Sequence, residues 1–407
     1  MPPRLPLSDE AILRILRSCL AAELTAQGRR IPAADAAGWT ADLPLGEAGL
    51  ALDSLEKLAC AAAANALFQL HETGIEDHLL AAPDLAGWVA VVRAALAEGT
   101  SGLTFLTSGS TGARQPCPHP MARLLAEGTA WAAEFAGTRR IIAQVPAHHI
   151  YGFLFTALLP DLLGVPVLDA RALAPGRLLR EMAPGDLLVG FPTGLAALLT
   201  TLGAARLPVG DPPGLAVVSS TAPLPAATHA GLLAAGARQV TEVYGSSETA
   251  GIARRTAPDA AFRLLPWWRP GAAGDTASVI EAATGAEIAL PDRCAWQADG
   301  GLRLLGRKDR AVQVGGMNVF PARVAETLRG HPLVAECAVR LDATLAEPRL
   351  KAFVVPAPGA DPAWLAAELE AWTRRTLPAP ERPVRFAIGP ALPAAELGKA
   401  TDWDAAA

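Results

Sequence analysis

Leu103-Thr-Phe-Leu-Thr-Ser-Gly-Ser-Thr-Gly-Ala-Arg114 carries an apolar run into a loop built from Thr107, Ser108, Gly109, Ser110, Thr111 and Gly112. Small residues let backbone N–H groups approach an anion, and the hydroxyls add donors, so this is the chemistry of a loop that grips phosphates. It lacks the Gly-Lys-Ser/Thr ending of the Walker loop. A Ser/Gly linker has the same composition, but here a strand leads directly into it. Cations are the natural complement, and the chain has only four lysines, Lys57, Lys308, Lys351 and Lys399, against 31 arginines. Arg-for-Lys usage in an Ala-rich chain is first a coding bias. It nevertheless isolates Lys399, which follows Gly398 near the end of the sequence.

The elements that must position these groups follow from length and pattern. A chain of 407 residues exceeds what one core usually holds and predicts two or three domains. With 51% hydrophobic and 18% charged residues it can bury real cores. The net charge of −5 argues against nucleic acid as a main partner. The five cysteines are scattered, odd in number and without metal spacing, so neither a disulfide framework nor a cysteine metal site is expected. No signal-peptide pattern opens the sequence, and no apolar stretch reaches the ~20 residues of a bilayer span without interruption. The nearest candidate, 151–170, is broken by Pro160, Asp161, Gly164 and Pro166. A reducing cytoplasm is the expected setting.

Residues up to about 97 read as helices: 8–26 with Ser8 as N-cap, 53–70 opening at Asp53-Ser54, and 88–96. From Gly102 short apolar strands alternate with Ala/Leu-rich helices, predicting an α/β domain with strands near 102–107, 141–145, 165–168, 187–189, 215–219 and 239–243. A last unit, 309–407, reads as a small α+β domain with strands at 312–314, 335–341 and 349–355 and helices at 321–329 and 362–376.

The loop Thr107–Gly112 resembles the phosphate loop of the adenylate-forming acyl/aryl-CoA synthetase superfamily, and other motifs of that family follow in order. Pro146-Ala-His-His-Ile-Tyr-Gly152 resembles the motif whose His, here His149, lines the acyl pocket. Ser219-Ser-Thr-Ala-Pro-Leu224, with Ala222, resembles the loop against adenine and the substrate carboxylate. Tyr244-Gly-Ser-Ser-Glu-Thr249, including Gly245 and Ser247, resembles the motif whose Tyr stacks on adenine and whose Glu, Glu248, holds Mg²⁺ as a metal ligand. Asp292 stands in the place of the ribose-binding Asp. Gly306-Arg-Lys-Asp-Arg310 resembles the segment in which Arg307 grips the ribose and Asp309 is the interdomain hinge. Gly315–Pro321 resembles the small-domain loop facing the thiol acceptor, and Leu397-Gly-Lys399 the motif of the catalytic Lys.

The resemblance implies ATP and Mg²⁺ as cofactors and a small carboxylic acid as substrate. It implies a ligase that forms acyl-AMP, releases pyrophosphate and passes the acyl group to a phosphopantetheine thiol of CoA or of a carrier protein. Catalytic roles fall to Lys399, Glu248 and His149. A catalytically impaired scaffold that keeps the nucleotide pocket is the alternative. Two departures stand out: the usual Pro-Lys after the phosphate loop is replaced by Ala113-Arg114-Gln115-Pro116, and the acidic pair after the small-domain loop is Arg323 and Ala325. A sizeable front part of the usual large domain also looks absent. In its place, Leu45–Glu56 resembles the attachment motif of an acyl carrier protein, with Ser54 as the phosphopantetheine site at a helix start. A plain helix cap at Asp53-Ser54 is the simpler alternative. The expected organisation is therefore a carrier-like helical bundle (1–97), a shortened α/β adenylate-forming domain (98–308) and a small mobile domain (309–407).

Overall fold

The computed structural model describes residues 4–106, 115–208, 210, 214–307, 311–342, 344–345, 347–392 and 403. Its centre is a seven-stranded sheet. In spatial order the strands are Val167–Asp169, Arg140–Ala143, Asp186–Gly190, Ala216–Ser219, Gln239–Ser246, Ala250–Arg255 and Arg263–Leu264. The first five are parallel and the last two antiparallel. Strands buried on both faces must be apolar throughout, and Asp186-Leu-Leu-Val-Gly190 is buried at every residue. Its side chains alternate: Leu187 and Val189 enter one core, Leu188 the other. The second core is closed by helices Pro175–Glu181, Pro192–Leu202 and Ala226–Ala235 through Leu178, Leu195, Leu198 and Leu232.

The first core reaches from the front helices to the sheet. Helix Asp9–Ala26 starts at Ser8, whose Oγ accepts from the Ala11 N–H at 3.2 Å, as the sequence predicts. Helix Ser54–Phe68 has a capping box: Asp53 accepts from the Leu55 and Glu56 N–H groups, and Glu56 returns to the Asp53 N–H. Together with Leu85–Glu98 these helices bury Ile12, Leu16, Phe68, Trp88 and Val92 in the same core as Phe105, Trp131 and Phe153. The expected division near residue 97 is thus not marked by a break in packing.

Polar ties cross that line as well. Arg14 donates to the Thr156 carbonyl at 2.8 Å, the Ser8 hydroxyl to Asp161, and the Ser18 hydroxyl pairs with His148 Nδ1 at 2.7 Å. These partners lie on or beside the helical run Ile150–Phe153, Leu154–Leu158 and Leu159–Leu163, whose middle segment is a π turn.

The third core belongs to the C-terminal unit. Strands Val334–Asp342, Arg349–Pro356 and Pro383–Ile388 form a sheet covered by helices Pro321–Arg329 and Pro362–Thr376 through Val324, Leu328, Leu365 and Leu369. This is the α+β unit expected from the sequence.

Candidate active site

Parallel sheets place ligands at the carboxyl ends of their strands, and two adjoining cavities open there. The first, of about 650 Å³, is lined by Ser220, Ala222, Tyr244, Gly245, Asp292 and Gly306, among others. Tyr244 is 9% exposed, and its hydroxyl donates to Asp292 Oδ2 at 2.8 Å. Two residues 48 apart in sequence are joined because hairpin Asp292–Trp296/Leu302–Arg307 folds against the end of the central strand. Asp292 pairs with Arg307 across that hairpin. Glu242, 2% exposed, takes the Leu224 N–H at 2.9 Å and Arg255 Nε at 2.7 Å, so it pins the loop that carries Ala222.

The second cavity, of about 370 Å³, is lined by Leu106, Ile150, Leu154, Phe155 and Phe191 on its apolar side. His149 lines it too, with its ring 4.2 Å from that of His148. Tyr151 stands under the same wall, and its hydroxyl lies 3.0 Å from both the Gly190 and Val218 carbonyls, tying two strand ends together. Gly152 allows this turn, since a Cβ there would lie 1.9 Å from the Pro146 carbonyl oxygen. Ser220, Thr221, Val243 and Gly245 line both cavities and form their junction. Thr221 (φ 77°) and Ala250 (φ 55°) hold left-handed backbone there, strain of the kind that collects at working sites. Hairpin Val312–Val314/Met317–Val319 of the C-terminal unit reaches the second cavity with Gly315, Gly316, Met317 and Asn318.

Glu248 and Ser247 sit in the exposed turn joining strands Gln239–Ser246 and Ala250–Arg255. Buried His119 and half-buried Arg123 hold that turn. His119 Nε2 donates to the Ser247 carbonyl at 2.7 Å, and burial lowers its pKa, which keeps the ring neutral. Arg123 donates to the Thr249 carbonyl at 3.0 Å and to Glu281 at 2.8 Å, and stacks 4.4 Å from the Trp268 ring. His119 also lies on the hairpin Gly102–Leu106/Pro116–Pro120 that flanks Thr107–Gly112. The phosphate-loop and Glu248 elements are therefore tied together.

No group of three or more His, Cys, Asp or Glu that could hold a metal occurs among the described residues. Glu248 offers a single exposed carboxylate in the turn after Ser246 and Ser247, which line the second cavity, and one carboxylate suits Mg²⁺, an ion usually held by one or two carboxylates with phosphate oxygens and water. The residues present fit the ion.

Of the residues singled out in the sequence, His149, Ala222, Tyr244, Gly245, Ser247 and Asp292 line the two cavities, and Glu248 follows Ser247 in the exposed turn. Thr107, Ser108, Gly109, Ser110, Thr111, Gly112, Asp309 and Lys399 lie outside the described residues, as does the Arg307 side chain. Ser54 is exposed at the start of its helix. Sequence reasoning missed His119, Arg123, Glu127 and Gln144. Glu127 had a signal: Met121, Leu124, Gly128 and Trp131 mark the buried face of helix Met121–Glu134, and Glu127 falls on it.

Comparison with known proteins agrees with the geometry. Residues 60–290 match the model of the AMP-binding enzyme family, and 323–399 match the AMP-binding enzyme C-terminal domain. The first match begins inside the stretch read as carrier-like. A 4-coumarate–CoA ligase of Halorhodospira halophila is 42% identical over 97% of this chain and 99% of its own. Another, from Rhodobacter capsulatus, is 41% identical over 97% and 100%. A solved malonyl-CoA ligase, bound to methylmalonyl-CoA and AMP, is similar at 25% identity with a TM-score of 0.55 over 72% of each chain. An amide bond synthetase from Marinactinospora thermotolerans shares the fold at TM-score 0.59 over 95% of this chain and 92% of its own. The chain belongs to the adenylate-forming acyl/aryl-CoA ligase superfamily, and it is an AMP-forming acid–thiol ligase. No helix among the described residues is long and apolar enough to cross a membrane.

Proposed function

We propose that the chain activates an aryl carboxylic acid, with 4-coumarate as the reference substrate, and transfers it to CoA. The observation that carries this reading is the second cavity, mostly apolar, walled by Phe155 and Phe191 and sharing Ser220, Thr221, Val243 and Gly245 with the first cavity. The names of the full-length relatives support the same choice.

In this reading the ring enters the second cavity and the carboxylate rests at the Ser220–Thr221–Gly245 junction. A carboxylate oxygen attacks the α-phosphorus of ATP, and pyrophosphate leaves. Two anions must meet, so charge compensation is the main task. Glu248 would hold Mg²⁺, which when bound would supply positive charge beside the phosphates. Thr107, Ser110 and Thr111 donate to the β- and γ-phosphates. Lys399 places one cation on both the carboxylate and the α-phosphate. Tyr244 stacks on adenine, while Asp292 and Arg307 hold the ribose. The thiol sulfur then attacks the acyl carbon, its proton is lost, and AMP leaves with the oxygen. The Gly315–Asn318 turn lines the acid cavity, which supports its assignment as the turn that meets the incoming thiol. A swing of 309–407 about Asp309 exchanges Lys399 for this turn between steps.

A carrier-protein acceptor is the second reading. It has its own observation: Ser54 is exposed, beside Leu55 and Leu58, 74% and 52% exposed on one helix face. Both a separate carrier and a self-loading Ser54 arm would use phosphopantetheine.

Pyrophosphate exchange and thioester formation across aryl and fatty acids decide the matter. Exchange is expected with aryl acids and thioester only when CoA is added. Lys399→Ala is expected to abolish exchange. Exchange confined to fatty acids overturns the aryl reading. A mass gain on Ser54 after treatment with a phosphopantetheinyl transferase moves the acceptor from CoA to the chain's own arm.

A further inference from the structure

The acid cavity is apolar over most of its wall, but two buried acceptor oxygens interrupt it. Glu127 and Gln144 both line the cavity, and among the described residues Glu127 Oε2 and Gln144 Oε1 have no hydrogen-bond partner. Glu127 is 0% exposed. Its other oxygen, Oε1, takes the Gly251 backbone N–H at 3.0 Å and Trp131 Nε1 at 3.2 Å, so the carboxyl group is locked in orientation. Gly251 is part of the lock: a Cβ there would lie 2.3 Å from Glu127 Oε1. Burial pushes the Glu127 carboxyl up to about 7, against the pull of Arg123.

A buried polar atom with no partner costs folding free energy. A ligand that supplies the missing hydrogen bond recovers that cost only when bound. The ligand's group must be a hydroxyl or similar donor–acceptor, because it meets carboxyl and amide oxygens. It cannot be the reacting carboxylate, since two acids brought together raise each other's pKa and repel when ionised. Position agrees with charge. Neither Glu127 nor Gln144 lines the nucleotide cavity, so both lie off the junction where the carboxylate is activated.

We propose that Glu127 is a specificity-determining residue whose Oε2 hydrogen-bonds a hydroxyl on the ring end of the aryl acid, so that the enzyme selects hydroxylated over unsubstituted acids. The proposal rests on the aryl-acid reading above and adds the group that distinguishes one aryl acid from another. A pocket built to satisfy a substrate hydroxyl rejects the analogue lacking it, because its own polar atom is then left bare.

The test compares kcat/KM for 4-hydroxycinnamate and cinnamate in CoA-thioester formation. The wild type is expected to favour the hydroxylated acid by about 10- to 100-fold, the range one hydrogen bond to an ionisable group supplies. In Glu127→Leu and Glu127→Met the ratio is expected to fall toward one with the KM for ATP unchanged. Glu127→Gln keeps shape and a polar atom, and an intermediate ratio is expected. Where the apolar variants do not fold, Glu127→Gln decides: a reduced ratio supports the proposal and an unchanged one overturns it. A wild type that uses both acids equally also overturns it while leaving the aryl reading intact. No turnover of either acid removes the aryl reading and this proposal together.

Discussion

Glu127 shows how one side chain can carry a cost for folding and a use in binding. An ordinary glutamate takes up its proton near 4.5, whereas burial pushes this one up to about 7. Below about pH 4.5 folded and unfolded chains both hold a neutral carboxyl, and the shift costs nothing. As pH rises toward 7 the unfolded chain ionises first, so folding is penalised progressively. Above pH 7 the penalty is complete, at about 3 kcal/mol. Glu127→Gln, which stays neutral throughout, is expected to gain stability relative to wild type between pH 5 and pH 8. Denaturant unfolding at the two pH values measures it, and a difference that does not change with pH would show that Glu127 titrates normally.

At the level of strands and hairpins, the first cavity is held by ties between elements: Phe262 and Leu302 exchange backbone hydrogen bonds at 2.9 and 2.8 Å, and Tyr244 bonds to Asp292. Tyr244 lies two residues before the end of strand Gln239–Ser246, Asp292 begins a separate hairpin, and their 2.8 Å hydrogen bond brings them together. A hydrogen bond to a charged group contributes about 1.5–3 kcal/mol. Tyr244→Phe removes the bond while keeping a ring for stacking. It is expected to raise the KM for ATP about tenfold and to leave that for the acid little changed, as read by nucleotide titration at saturating acid. Equal weakening of both substrates would place Tyr244 at the acid instead. The Glu248 turn has a comparable dependence on His119 and Arg123, neither of which belongs to a recognisable motif.

For the molecule as a whole, the proposed swing of the C-terminal unit makes a testable claim about the contact it makes with the sheet. Gly316 (φ 79°) stands close enough to the junction that a Cβ on it would lie 3.1 Å from Thr221 Oγ1. Gly316→Ala adds both left-handed strain and bulk at that contact. On the proposed swing, adenylation takes place without this contact, so pyrophosphate exchange is expected to persist. Thioester formation is expected to fall about tenfold or more, for roughly 1–2 kcal/mol of strain. Equal loss of both activities would show that the two steps share one arrangement.

Local chemistry wrote much of this protein into its sequence. Strand and helix positions follow from apolar runs and caps, and Ser8 and Asp53 cap the helices they precede. Motif order was enough to point to the family and to His149, Tyr244, Glu248 and Asp292, because backbone approach and charge compensation demand particular residue types at short spacing. Long-range packing is different. No local pattern states that the front helices share a core with Phe105 and Trp131, so they read as a separate carrier-like bundle. Helical spacing puts Glu127 on a buried face, but it does not announce that one oxygen lines a cavity with no partner among the described residues, since that is decided by what folds over it. Residue type and spacing determined the reaction. Only tertiary structure, by choosing which polar atoms lose water and which gain partners, decided where the pocket is polar and what it can select.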